Sequence, residues 1–243
     1  MSIDYYRDPG MAELYDRLCE GRSDLAFYLP LMMESDAVLD IGCGTGLFLH
    51  QAREAGHPGR LCGLDPSASM LAIARQRSDI EWKQGFVTDA SFDREFSLAI
   101  MTGHAFQFLV TDAEITATLS AVYSALRPGG QFIFETRNPA RRAWDRWNRD
   151  YARQTVNAEG ETVTATHDLE SVEGDTVSFT ETFSSPDWTA PSRSRSTLRF
   201  LTLQRLTEFI AVSGLKIEAQ YGDFDHSPFG AQSPEIITVA TRT

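Results

Sequence analysis

The feature that most constrains the fold is a short apolar run that leads into three alternate glycines, at residues 38–46. The run is typical of a buried parallel strand, and the glycines Gly42, Gly44 and Gly46 are followed by a helical pattern. Glycine permits a positive φ and lets the backbone approach a ligand closely, while a helix N-terminus presents unpaired amide groups. The stretch therefore predicts a strand–turn–helix unit with a ligand site at its turn.

Apolar runs and helical patterns continue to alternate as far as residue 138. Thr111 and Glu114 form a capping box, which predicts where the last helix of this part begins. The alternation predicts an α/β fold with a doubly wound, mostly parallel sheet, which two strands near the C-terminus extend to seven. We expect strands over residues 37–41, 60–64, 80–84, 96–101, 131–136, 215–221 and 235–240, and helices over residues 45–55, 67–77, 111–126 and 203–212.

The chain outside this pattern divides into two parts. Residues 1–36 are predicted to form helices that cover a core made of residues 37–140 and 201–243. Residues 141–200 are predicted to form an insertion that begins with a helix, whose aromatic face carries Trp144, Trp147 and Tyr151. Antiparallel strands follow, because Thr and Val alternate with period two on both sides of a Glu-Gly-Asp turn. We expect this insertion to act as a lid over the site or as the contact of a homodimer.

The composition argues against several classes of partner. With 34 acidic and 22 basic residues, the formal net charge is −12, which disfavours binding to nucleic acid and to anionic membranes. The three cysteines are widely spaced, as expected of reduced thiols in a cytoplasmic protein. No apolar run approaches the roughly 20 residues of a membrane helix, and the five histidines lack the spacing of metal ligands. We therefore expect a cytoplasmic protein without a metal site.

An acidic residue, Asp65, follows the second predicted strand, 19 residues after Gly46. In a doubly wound sheet both features lie at the carboxyl edge, beside the point where ligands bind. A carboxylate there can accept hydrogen bonds from the two hydroxyls of a ribose, so the pair predicts a site for a nucleoside-type cofactor. A dinucleotide fingerprint needs a small residue where Leu47 stands, which disfavours NAD.

These stretches resemble the motifs of class I S-adenosylmethionine (SAM)-dependent methyltransferases, and the resemblance covers most of residues 38–138. Residues 38–46 resemble the first motif, 64–71 the second, 85–90 the third, and 126–132 the turn before the fifth strand. The resemblance implies a Rossmann-like methyltransferase fold, SAM as the cofactor, and transfer of its methyl group to a small-molecule acceptor by in-line displacement. The residues that it suggests as cofactor contacts are Asp40, Gly42, Gly44, Gly46, Asp65, Pro66, Met70, Asp89, Ala90, Thr102, Tyr15 and Arg22.

In that family, residues after the fourth strand lie between cofactor and acceptor, which places Thr102 and His104 there. His104 is the candidate catalytic base because an imidazole titrates near neutral pH, and a hydrogen-bonded structural histidine is the alternative. The Asp/Asn-Pro-Pro-Tyr/Phe motif of enzymes that methylate nucleic-acid bases is missing here, which disfavours such bases as acceptors. The candidate contacts of the substrate are Tyr28, Phe106, Arg137 and Trp144.

Two other functions stay open at this point. One is an NAD-dependent oxidoreductase, which Leu47 and the third motif oppose, and the other is a SAM-binding protein without catalytic activity. Asp40 either contacts the ligand or braces the loop, and Tyr15 and Arg22 either cover the cofactor or belong to ordinary amphipathic helices. The acceptor atom, whether oxygen, nitrogen or carbon, also stays open because a fold does not fix a substrate.

Overall fold

A computed structural model describes residues 9–19 and 24–243, and it contains an α/β core with a separate antiparallel sheet. Its strands are β1 (Ala37–Ile41), β2 (Arg60–Asp65), β3 (Glu81–Gln84), β4 (Phe96–Met101), β5 (Leu126–Arg137), β6 (Arg153–Val156), β7 (Thr162–Glu173), β8 (Thr176–Ser184), β9 (Ser192–Arg199), β10 (Leu215–Tyr221) and β11 (Glu235–Arg242). The α-helices within these ranges are α1 (Pro9–Leu18), α2 (Asp24–Met33), α3 (Leu47–Glu54), α4 (Ala68–Ala74), α5 (Asp112–Ala125) and α6 (Leu203–Ser213). None of these helices is long and apolar enough to span a membrane.

The main sheet has the strand order β10-β11-β5-β4-β1-β2-β3. Its strands are parallel except β11, which runs antiparallel to both of its neighbours. This is the mostly parallel, seven-stranded sheet that the sequence predicts. Because β1 lies between β2 and β4, the turns that follow these three strands adjoin one another at the carboxyl edge. The predicted ligand residues therefore meet at that edge.

Helices cover both faces of the sheet, because successive residues of each buried strand point to opposite faces. On one face Leu39 and Phe134 pack against α5 and α6. On the other face Val38 and Ile133 pack against Phe27 of α2 and against α3. Burial on both faces explains why these strands appear in the sequence as continuous apolar runs.

Strand β5 begins earlier than the sequence predicts. Leu126, predicted as the last residue of a helix, is instead the first residue of the strand, and residues 127–130 form a bulge against β4. Gly129 in the bulge has a φ of 79°. A Cβ on Gly130 would lie 2.9 Å from the carbonyl oxygen of Arg127. The glycines therefore interrupt the pairing locally, while the strand continues on both sides of them.

The insertion contains a four-stranded antiparallel sheet in the order β6-β7-β8-β9, which confirms the predicted strand type. The predicted hairpin turn joins β7 to β8. Helix α1 connects this sheet to the core, because Leu14 of α1 and Met70 of α4 pack in one apolar cluster with Val163 and Phe183 of the insertion. Helix α1 thus lies between the core and the insertion.

The segment before this sheet is not the helix that the sequence predicts. Residues 139–151 form three short 3-10 turns. Arg142 has a φ of 45°, and a residue in this left-handed conformation cannot continue a helix. Trp144 and Trp147 nevertheless pack together in a small apolar core with β8 and β9. Tyr151, predicted on the same helix face, is exposed.

We expect Phe183→Ala to lower the free energy of unfolding by about 3–5 kcal/mol, because it removes a fully buried ring between α1 and the insertion. Val212→Ala, at a side chain that is 76% exposed, is the control and should change it by less than about 0.5 kcal/mol. Urea unfolding followed by circular dichroism measures both variants. Equal effects would contradict the packing of α1 against the insertion.

Candidate functional site

The glycine turn between β1 and α3 is held against strand β2 by its own backbone amides. The amide of Gly42 donates to the carbonyl oxygen of Leu64 at 2.7 Å. The amide of Gly44 donates to Asp65 Oδ2 at 2.9 Å, and the amide of Ser67 donates to Asp65 Oδ1 at 2.7 Å. Asp65 is buried, so its carboxylate is fixed between the turn and the start of α4.

The three glycines of this turn serve different purposes, although all have a positive φ. A Cβ on Gly44 would meet no atom within 4 Å, so the turn is open to a ligand at this position. A Cβ on Gly46 would lie 2.4 Å from the ring of Trp82 on β3, and one on Gly42 would lie 3.1 Å from Ala105 Cβ. Packing therefore explains Gly46 and Gly42, whereas Gly44 leaves space for a ligand.

Helix α1 is tied directly to this turn. Asp16 Oδ1 accepts a hydrogen bond from Thr45 Oγ1 at 2.7 Å, and Thr45 is buried. Tyr15 packs at the margin of the apolar cluster that contains Met70. Met70, predicted as a cofactor contact, is itself buried in that cluster. Arg22, predicted as a cofactor contact, lies outside the described residues.

Asp89 lies beside a cavity next to β2 and β3. The amide of Gly85 donates to the backbone carbonyl oxygen of Asp65 at 3.0 Å, which connects the loop after β3 to the end of β2. Asp89 Oδ2 accepts a hydrogen bond from the amide of Phe86 at 3.2 Å. The ring of Phe86 is 58% exposed, and Pro66 is exposed as well. The cavity has a volume of about 460 Å³, and its lining includes Leu64, Gln84, Phe86, Asp89 and Ala90.

On the other side of β1, four carboxyl groups lie around Tyr28 and the loop after β4. Tyr28 donates its hydroxyl hydrogen bond to Glu135 Oε2, and the amide of His104 donates to Glu135 Oε1 at 2.9 Å. His104 Nε2 lies 2.9 Å from Glu235 Oε2. His104 has a φ of 61°, a conformation that is costly for residues other than glycine and is concentrated at functional sites. We call Asp24, Asp40, Glu135 and Glu235 the carboxylate cluster.

Burial governs the ionisation of this cluster. It raises the pKa of the Glu135 carboxyl above its usual range, and it raises the pKa of Glu235 to about 7. Burial, together with the charge of Glu135, also holds the pKa of Tyr28 well above its usual value, so the phenol stays a neutral donor. Neighbouring carboxylates raise the pKa of Glu235 further, and the guanidinium of Arg137 opposes them. The cluster therefore favours positively charged or hydrogen-bond-donating partners.

Arg137 connects the cluster to the insertion. Its Nη1 donates to Gln107 Oε1 at 3.0 Å, and its guanidinium lies 5.7 Å from the ring centroid of Trp147. Farther along the insertion, His167 Nε2 lies 3.3 Å from Glu181 Oε1. Burial lowers the pKa of His167 to about 4 and raises the pKa of Glu181 to about 7. The insertion thus places a largely buried His–Glu pair within electrostatic range of Arg137.

Three of the four predicted substrate contacts lie in packed interiors. Phe106 is buried and stacks on Phe134 with ring centroids 4.3 Å apart. Trp144 is buried in the apolar core of the insertion. These positions argue against direct contact of either residue with a substrate. Tyr28 is fully buried and reaches the cluster through its hydroxyl, while Thr102 is buried at the start of the loop that carries His104.

Glu135 and Glu235 are not among the residues that the sequence analysis singles out. Glu135 does have a signal, because it interrupts the apolar run of the fifth strand, and a charged residue is seldom buried there without a partner. Glu235 has no such signal, since it begins the last strand, 131 residues after His104. Only the pairing of Glu235 with Arg137 across β11 and β5 places it at this edge.

Comparison with known proteins relates this site to enzymes of one kind. Residues 38–130 match the family described as "Methyltransferase domain". The chain is 35% identical over 163 residues to the 2-phytyl-1,4-naphtoquinone methyltransferase of Thermosynechococcus vestitus, covering 60% of this chain and 70% of that protein. It is 27% identical over 217 residues to the cypemycin N-terminal methyltransferase of a Streptomyces species, covering 86% and 84%. A SAM-bound amino pentose methyltransferase from Micromonospora echinaspora shares the fold, with a TM-score of 0.71, 24% identity and coverage of 95% and 96%.

We expect Gly46→Ala to destabilise the protein more than Gly44→Ala. Both variants carry the cost of a side chain at positive φ, about 1–2 kcal/mol, but only Gly46→Ala adds an overlap with Trp82, which costs about a further 1–3 kcal/mol. Trp82→Leu should recover part of the loss when it is combined with Gly46→Ala. Denaturant unfolding measures each variant, and an equal loss at both glycines would contradict the assigned packing.

Proposed function

We propose that this protein, which belongs to the class I SAM-dependent methyltransferases, methylates an amino group of a small molecule. Membership of the family rests on the matched domain and on the relative that shares 35% identity. It confirms the predicted cofactor, fold and reaction class, and it leaves the oxidoreductase alternative without support. The amine as acceptor is our proposal, and the buried carboxylate cluster around His104 is the observation that carries it.

The residues of the glycine turn fit SAM. Gly44 leaves open space at a φ of 56°, and Asp65 is held beside that opening by the amides of Gly44 and Ser67. We propose that Asp65 accepts hydrogen bonds from the ribose and that Asp89 and Ala90 contact the adenine. When bound, SAM supplies a methyl group on a sulfonium, which is a good leaving group. The side chains then have to orient the acceptor and remove any proton that blocks its attack.

The carboxylate cluster suits a cationic acceptor. Asp24 is 6% exposed, and Asp40 and Glu135 are fully buried. The loop that carries His104 touches the glycine turn at Gly42, so the cluster adjoins the proposed cofactor site. An amine is an ammonium ion at neutral pH, and a site lined by acidic side chains favours a cationic acceptor over a neutral or anionic one. Two of the similar proteins are named for an N-terminus and an amino pentose, and the third for a naphthoquinone.

An ammonium acceptor requires a base, because its nitrogen has no lone pair until a proton leaves. We assign this role to His104, whose backbone amide is held by Glu135 and whose ring lies against Glu235. The imidazole takes the proton from the acceptor nitrogen, and the lone pair of that nitrogen becomes available to the methyl group. General base catalysis of this kind typically contributes about 10²–10⁴-fold to a rate.

We further propose that residues 141–200 form the mouth of the acceptor site, with residues 1–36 as a cover and residues 37–140 and 201–243 as the cofactor-binding core. The contacts of Arg137 with Gln107 and Trp147 support the placement of the insertion at the mouth of the site, because they join the insertion to the carboxyl edge of the sheet. A homodimer contact through the insertion remains the alternative prediction, and light scattering tests it.

We expect S-adenosylhomocysteine to bind with a micromolar dissociation constant, about −8 kcal/mol, and NADH not to bind. Asp65→Ala should weaken that binding by about 1.5–3 kcal/mol, because it removes the proposed ribose contacts and the acceptor of the Gly44 amide. Asp187→Ala, at an exposed site in the insertion, is the control. Calorimetry measures each of these affinities. An unchanged dissociation constant in Asp65→Ala would mean that Asp65 only shapes the turn and does not contact the ribose.

We expect label from methyl-labelled SAM to be transferred to small amines, such as amino sugars and the α-amine of peptides. Matched compounds with a hydroxyl in place of the amine should not react. His104→Gln should lower kcat by about 10²–10⁴-fold without changing the affinity for S-adenosylhomocysteine. The control variant, His50→Gln on α3, should leave kcat unchanged. Transfer to the hydroxyl compounds alone would contradict an amine acceptor, and full activity of His104→Gln would contradict its role as the base.

A further inference from the structure

We infer that Glu235 is a positioning residue of the methyl transfer, and that it acts through His104 by orienting the imidazole and compensating the charge that the imidazole acquires. The inference deepens the proposed function, since only an acceptor that must lose a proton needs such a pair. Glu235 belongs to the last strand of the sheet and to none of the motifs in the sequence.

Strand pairing places Glu235 next to His104. Glu235 pairs with Arg137 in the antiparallel register of β11 and β5, at the end of β5 where the carboxyl edge begins. Its Oε2 lies 2.9 Å from Nε2 of His104, and the two side chains are 13% and 19% exposed. The imidazole and the carboxylate therefore meet in a region largely shielded from water, where their interaction is stronger than at a surface.

A second carboxylate fixes the same residue from the other side. Glu135 Oε1 accepts a hydrogen bond from the amide of His104, and its Oε2 accepts one from the hydroxyl of Tyr28. His104 is thus held at its backbone by β5 and at its ring by β11. Packing alone would not require two carboxyl groups here, one buried and one largely buried, because taking each out of water is costly. This double constraint favours a chemical role for the ring.

The charges around the pair favour a protonated imidazole. In the described part of the chain, Asp24 on α2, Arg137 on β5 and Asp223 before β11 act electrostatically on Glu235. Glu135 on β5 bonds to the amide of His104 and to the hydroxyl of Tyr28 on α2. Arg137 is the single cation in this set, and Tyr28 is neutral. Acceptance of a proton from the acceptor nitrogen converts the imidazole to an imidazolium, and the adjacent carboxylate of Glu235 stabilises that ion.

The state of Glu235 gives the pair a dependence on pH. Because burial raises the pKa of Glu235 to about 7, the carboxyl takes up a proton as the pH falls through neutrality and loses its negative charge. The support for an imidazolium is therefore present above about pH 7 and is lost below it. We expect the activity to fall on the acidic side as the pair takes up protons.

The test is Glu235→Gln, which keeps the size of the side chain and removes its charge. The full-length protein is labelled with ¹⁵N-histidine, and His104→Gln identifies the His104 signal. We expect the pKa of the His104 imidazole to fall by about one unit or more in Glu235→Gln. Glu218→Gln, an exposed glutamate on β10 that bonds to Gln131, is the matched control and should leave the titration unchanged. Glu235→Asp, which retains the charge, should restore part of the shift.

Kinetics then test whether Glu235 acts through His104. With the best amine acceptor, Glu235→Gln should lower kcat about tenfold or more, move the acidic limb of the pH profile to lower pH, and leave the KM for SAM unchanged. In the His104→Gln background the same substitution should have little further effect, because the group it serves is gone. Additive losses in the double variant would overturn the inference.

The titration separates this inference from the proposed function, because it needs no acceptor. If the His104 titration is the same in wild type and Glu235→Gln, the pair is structural and the inference is wrong even where amines are methylated. If the titration shifts but the preferred acceptor proves to be a hydroxyl compound, the proposed amine fails, while the Glu235–His104 pair stands.

Discussion

The carboxylate of Asp65 is the constraint on which the cofactor site depends. It accepts a hydrogen bond from the amide of Gly44, in the turn after β1, and one from the amide of Ser67, at the start of α4. One side chain therefore sets the relative position of the N-termini of two helices. Gly44 has a left-handed backbone conformation, and the bond to Asp65 helps to hold it there. Because these amides orient both carboxylate oxygens, the group is already fixed in place for the ribose contact that we propose, which would reduce the entropy lost on binding.

Carboxylates organise the acceptor side of β1 in a similar manner. Glu135 and Glu235 come from neighbouring strands, and they hold the backbone and the ring of His104 respectively. Acidic groups buried at this density are costly unless a cation or strong donor accompanies them. We therefore relate the cluster to the charge of the amine that we propose as the acceptor. The glycine turn and the cluster adjoin at Gly42, which would place the proposed cofactor and acceptor at one edge of the sheet.

The sequence predicts those parts of the fold that depend on local pattern. The order of strands and helices, the capping box at Thr111 and the antiparallel insertion follow from periodicity and turn chemistry, and the structure confirms them. The conformation of residues 139–151 cannot be predicted in this way. It is decided by the burial of Trp144 and Trp147 in the insertion rather than by helical periodicity.

Much of the candidate site also cannot be predicted from the sequence. A glycine is needed at position 46 because the ring of Trp82, on another strand, leaves no room for a Cβ. The position of Glu235 depends on the pairing of β11 with β5. Both depend on contacts between residues far apart in the chain. A local motif can indicate that a residue matters, but it cannot distinguish a ligand contact from a packing contact.

The most direct test of the account is a crystal structure of the protein bound to S-adenosylhomocysteine. The account predicts that the ribose hydroxyls lie within about 3 Å of the Asp65 carboxylate, at hydrogen-bond distance, and that the sulfur faces the loop of His104 and the carboxylate cluster. A ribose that does not contact Asp65, with the sulfur directed away from His104, would contradict it.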